Sequence, residues 1–81
     1  MEYQNLYYTD NHEHAAFLLA SNQIIESFYW SKGSAVFVFE NEVECERIIK
    51  GILKGNIKLT PQSLLEALKT VNGIINFNFF N

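Results

Sequence analysis

A chain of 81 residues has room for one domain and not for two. Almost half of it is hydrophobic (48%) and 15% is aromatic, which excludes a disordered segment and provides for a core without disulfide staples. The net charge of −3 excludes the overall basic excess with which most nucleic-acid binders neutralise phosphates.

The charge is unevenly spread. Residues 1–40 carry a net −4, from Glu2, Asp10, Glu13, Glu26 and Glu40 against Lys32, whereas residues 41–81 carry +1. Cys45 is the lone cysteine, which rules out an internal disulfide and a cysteine-based zinc site. The first residues show no basic stretch leading into an apolar run, and no segment approaches the roughly 18 apolar residues a bilayer span needs. The expectation is a cytoplasmic protein with no membrane partner.

Leu6-Tyr7-Tyr8 reads as a short first strand. Asp10 followed by Glu13 has the spacing of a capping box, which satisfies the free N–H groups that open a helix. Ala15, Ala16 and Leu19 then recur at helical spacing, and Asn22 suits the left-handed residue at the helix end. Ile24–Trp30 and Ala35–Phe39 are rich in β-branched and aromatic residues, and Ser31-Lys32-Gly33-Ser34 joins them as a hairpin. The second of these strands is apolar on both faces: Ala35, Phe37 and Phe39 on one, Val36 and Val38 on the other. Helices can cover one face; the other calls for more protein or a partner.

Asn41 with Glu44 is a second capping box, opening a helix to about Leu53 with Cys45, Ile48, Ile49 and Ile52 as its core stripe. Gly55 is placed to end it. Thr60-Pro61 has the cap-then-proline form of a third helix start, and Leu64, Leu65, Leu68, Val71 and Ile75 follow. Gly73 weakens that helix, and residues 76–81 form an aromatic tail. The order β-α-β-β-α-α defines a small single α+β domain, an antiparallel hairpin packed against helices.

The succession Ala15-Ala16-Phe17-Leu18-Leu19-Ala20, Val36-Phe37-Val38-Phe39-Glu40, Gly55, Pro61 and Leu64-Leu65-Glu66-Ala67-Leu68-Lys69 resembles a family of small bacterial and phage-encoded domains of unknown function. The likeness runs from about Tyr7 to Ile75. These are packing and turn residues, so the resemblance implies a fold and a phage or mobile-element setting, and it brings no functional residues. Where the family commonly ends its first helix with glycine, this chain has Asn22.

No constellation spells catalysis. His12 and His14 are two residues apart, so on a helix their rings diverge by about 200° and cannot share one metal. Cys45 sits on an apolar stripe, where cysteine acts as a small hydrophobe. The four glycines form no phosphate-cradling pattern. The expectation is a non-enzymatic protein with no cofactor and no metal.

Two surface features remain. Arg47, Lys50 and Lys54 share one helix face and can meet phosphates or an acidic partner. The aromatic residues exceed what one small core can hide; Tyr3, Tyr7, Tyr8, Tyr29, Trp30, Phe77, Phe79 and Phe80 lie near the ends or on the hairpin. Tyr29, Trp30, Phe77, Phe79 and Phe80 are therefore expected to bind a partner, either another protein or a second copy in a homodimer. The leading expectation is a protein-interaction module that occludes or bridges a larger protein. The alternative is a nucleic-acid-binding accessory protein using the basic helix, and a small-molecule binder is a third class for which no polar contacts stand out.

Overall fold

The computed structural model describes the backbone of residues 5–80 and the side chains of residues 5–78. The elements are β1 (Tyr7–Thr9), α1 (His12–Ala20), β2 (Ile25–Ser31), β3 (Ser34–Phe39), α2 (Glu42–Leu53) and α3 (Pro61–Phe80). This is the expected β-α-β-β-α-α order of a single α+β domain, with the first strand one residue later than the sequence suggests. Tyr3 lies outside the described residues.

β3 is the middle strand of an antiparallel sheet ordered β1-β3-β2. Tyr7, Tyr8 and Thr9 pair with Phe39, Val38 and Phe37 on one side. On the other side Phe28, Tyr29, Trp30 and Ser31 pair with Phe37, Val36, Ala35 and Ser34. A bulge between Ile25 and Ser27 leaves Glu26 as the extra residue of β2. Lys32 and Gly33 close the hairpin with φ of 52° and 80°, the paired positive values of a type I′ turn, whose twist matches that of the flanking strands.

Alternation along the strands then decides what meets the helices. Ala35, Phe37 and Phe39 turn inward and are buried with Ala15, Ala16 and Leu18 of α1, Cys45, Ile48 and Ile49 of α2, and Ala67 and Val71 of α3. α1 occupies the middle of the helical layer, in contact with α2 on one flank and α3 on the other. Its fully buried Ala15 and Ala16 keep it close to the sheet. Phe28 meets both Phe37 and Trp30 edge-on, with ring centroids 5.1 and 5.6 Å apart.

The helix ends show where local signals hold. Asn41 accepts the Glu44 N–H at 3.2 Å and Thr60 Oγ1 accepts the Ser63 N–H at 3.1 Å, as the capping patterns predict. α1 differs: its cap is Asn11, whose Oδ1 accepts the His14 N–H at 3.0 Å, and Asp10 stands outside the helix. The reason is upstream, where Thr9 Oγ1 accepts the Asn11 N–H at 3.1 Å and fixes Asn11 in the extended conformation a cap requires.

α1 and α2 end in the same hydrogen-bonded motif. Gln23 and Asn22 donate to Leu18 and Leu19 carbonyls, and Asn56 and Gly55 donate to those of Gly51 and Ile52. The left-handed residue is Asn22 in the first (φ 67°) and Gly55 in the second (φ 80°).

α3 departs from expectation by running through Gly73 to Phe80, so residues 76–80 are helix rather than a separate tail. A glycine inside a helix costs about 1 kcal/mol against alanine. Ile74 and Ile75, just beyond it, pack against the core and offset that cost.

Candidate interaction surface

The outer face of the sheet carries the second set of β3 side chains. Val36 and Val38 lie there with Tyr8 of β1 and with Ser27 and Tyr29 of β2, by the pairing register. Val38 is only 1% exposed, although it is no part of the cluster beneath the helices. Its cross-strand partners are Tyr8 and Ser27, and Tyr8 and Tyr29 stay 56% and 42% exposed. The accessible side chains of this face are therefore the half-buried Val36 and the two tyrosines, each offering an apolar ring and a hydroxyl. Because β1 ends at Thr9, β3 outruns it, and a shallow groove of about 400 Å³ opens there among Tyr8, Asp10, Asn11, His14 and Val36.

The structure distributes the aromatic set taken from the sequence over different surfaces. Tyr29 and Trp30 are consecutive in a strand and point to opposite faces: Tyr29 outward, Trp30 to the helical side against Phe28, 41% exposed. Phe77 sits on α3 and is 68% exposed. The side chains of Phe79 and Phe80 lie outside the described residues. Tyr29 and Trp30 therefore do not share one outlook. The tyrosine the sequence reading left out of its binding set is Tyr8, the outer-face counterpart of Tyr29 across β3.

The basic residues do come together. Arg47, Lys50 and Lys54 line a groove of about 400 Å³ with Gly51, Asn56 and Ile57, where the chain turns back after α2. Arg47 donates from Nε to Glu44 Oε2 at 3.0 Å and from Nη2 to Glu44 Oε1. That pairing holds the Glu44 carboxyl below its usual range and raises the Arg47 guanidinium. Lys50 and Lys54 lie at the C-terminal end of α2, where cations also complement the helix dipole.

Cys45 is fully buried, and its Sγ–H donates to the Glu40 carbonyl at 3.4 Å. Burial, then the neighbouring Glu44 charge, pushes its thiol from 9.0 up to about 11, the opposite of nucleophile activation. The expected core role stands. His12 meets Phe37 edge-on at 6.3 Å and His14 stacks on Phe17 at 6.0 Å, so the two imidazoles pack on different rings. Among the described residues no three His, Cys, Asp or Glu side chains gather as metal ligands, and no helix is long and apolar enough to cross a membrane.

Fold and surface together define a small α+β domain whose three helices cover one face of a three-stranded sheet. A family model, Domain of unknown function (DUF5659), matches residues 4–78, and the chain belongs to that family. No curated protein and no solved structure matches the chain.

Proposed function

We propose that the domain is a non-enzymatic protein-interaction module that docks a larger protein on the open face of its sheet. The observation that carries this reading is Tyr8 and Tyr29, both substantially exposed, beside half-buried Val36 on the sheet face opposite the core residues Ala35, Phe37 and Phe39. Tyrosine rings are rigid and amphipathic, so they anchor interfaces at a low entropic cost. A phage or mobile-element setting fits the sequence resemblance, and a cytoplasmic one fits the lone, buried cysteine. The test is tagged co-purification from the native host after nuclease treatment, comparing the natural chain with Tyr8→Ser/Tyr29→Ser. A stoichiometric protein partner lost in the double variant is the expected result; a partner retained by that variant would move the site elsewhere.

One observation favours a second reading, a nucleic-acid accessory role: Arg47, Lys50 and Lys54 line one groove. Binding there would weaken steeply with salt, and capture abolished by nuclease would bring this reading forward.

A further inference from the structure

We infer that the groove beside the end of α2 is a phosphate-binding site, in which Lys50, Lys54 and the donors of Arg47 that Glu44 leaves free hold a run of adjacent phosphates. This deepens the nucleic-acid reading, on whose groove it rests, and is independent of what the sheet face binds.

The charge of the groove is one-sided. In a chain of net charge −3, Arg47, Lys50 and Lys54 line it and no carboxylate does. Arg47 spends two N–H donors on Glu44, and a guanidinium has five. Lys50 and Lys54 are exposed, and among the described residues neither makes an ion pair, not even Lys50 with Glu46 four residues before it. At 1.5 Å per residue the three cations are spread over about 10 Å of helix, room for successive phosphates rather than for one. None of the lining residues is aromatic, so bases find no ring to stack on and the contact is with the phosphates alone.

The C-terminal end of a helix ordinarily repels anions, because its last carbonyls are unpaired. α2 lowers that obstacle. The Lys50 carbonyl accepts the Lys54 N–H at 3.0 Å, and the Ile52 carbonyl accepts that of Gly55 at 3.1 Å. The Gly51 carbonyl accepts the N–H groups of both Asn56 and Ile57, at 2.8 and 3.0 Å. With these carbonyls occupied, the lysines have less helix charge to balance and more to offer a ligand. The chain returns this closely because residue 51 is glycine: a Cβ there would stand 2.5 Å from Ile57 Cδ1. That return makes Asn56 and Ile57 the second wall of the groove, and Asn56 brings to it a side-chain amide as an uncharged donor.

The test is an NMR titration of the isotope-labelled full chain at low salt. Inorganic tripolyphosphate and a short oligothymidylate are the probes, and sodium chloride of equal ionic strength is the baseline. Both probes should shift the amide resonances of Gly51, Asn56 and Ile57 and compete with each other. Oligothymidylate affinity should fall with salt at a log–log slope of about −2, or about −0.7 for each of three neutralised phosphates. Lys50→Gln/Lys54→Gln should weaken both probes about tenfold or more. Lys32→Gln/Lys69→Gln, which removes the same charge from exposed positions outside the groove, should weaken them about twofold at most. A response to tripolyphosphate alone would keep the site, assign it a small polyphosphate and end the nucleic-acid reading. Oligothymidylate bound without movement of these amides, or equal losses in the two double variants, would overturn the inference and leave nucleic acid a site elsewhere. No response to either probe would end both.

Discussion

β3 is flanked by two strands of opposite character. β1 has three residues, with Tyr7 half-buried against the core and Thr9 buried, and two helices bear on it. β2 has seven, yet only Ile25 and Phe28 are even half-buried. The shorter strand is the better anchored. Strand propensity reflects aromatic and β-branched content, while anchoring depends on where the helices land. Here α1 and α2 land over β1, and most residues of the long hairpin strand stay exposed.

The comparison breaks most completely at the residue both flanks share. Phe37 is fully buried, pairs with Thr9 on one side and Phe28 on the other, and lies under α1. Truncating a buried phenylalanine costs about 3–5 kcal/mol, which rivals the whole stability of a domain this small. Phe37→Ala should therefore lose its near-ultraviolet dichroism and its cooperative urea transition. If it kept both, the single-core description would be wrong.

What was legible in the sequence follows the same division between local and distant causes. The stripe of Cys45, Ile48 and Ile49, the Asn41 and Thr60 caps and the Gly55 stop are set within one or two helical turns, and each lies where the spacing put it. The α1 cap slipped by one residue because Asp10 and Asn11 are both good caps, and the hydroxyl that chooses between them belongs to Thr9. Opposite outlooks for Tyr29 and Trp30 were readable from strand alternation alone, although their aromatic character groups them. The place of Tyr8 was not readable. It depends on β1 pairing with β3 across the intervening α1 and β2, and Tyr7 and Tyr8 look alike until that register is known. α3 passed through Gly73 for a distant reason too, the packing of Ile74 and Ile75 on the core.

A pH profile sharpens the comparison from the covered side. Burial raises the Tyr7 phenol, with smaller contributions from Cys45 and Glu46, and burial raises the Cys45 thiol to about 11. Both groups are neutral when protonated, and the fold holds them protonated longer than the unfolded chain does. Above pH 9.0, the thiol's ordinary value, the unfolded chain binds fewer protons, so this contribution to stability is complete below that pH and is lost as pH rises toward about 11. Urea midpoints measured across that window should fall, and Tyr7→Phe/Cys45→Ala should flatten the decline. An unchanged slope in the double variant would mean that neither group is shielded by the β1 flank. Alkylation of Cys45 at neutral pH should correspondingly be no faster than the opening of the fold.

The smallest effects set the two flanks against each other directly. Thr9→Ala removes a buried methyl and the hydroxyl that accepts the Asn11 N–H, and should cost about 1–2 kcal/mol. Tyr29→Ser, on the exposed strand, removes far more atoms and should move the stability of the monomer by no more than about 0.5 kcal/mol. Both are read from urea denaturation of dilute protein. Equal losses at the two sites would mean that β2 is anchored as firmly as β1. A large loss at Thr9 beside a negligible one at Tyr29 means that the tyrosine is held out from the fold, with its ring available to whatever the sheet binds.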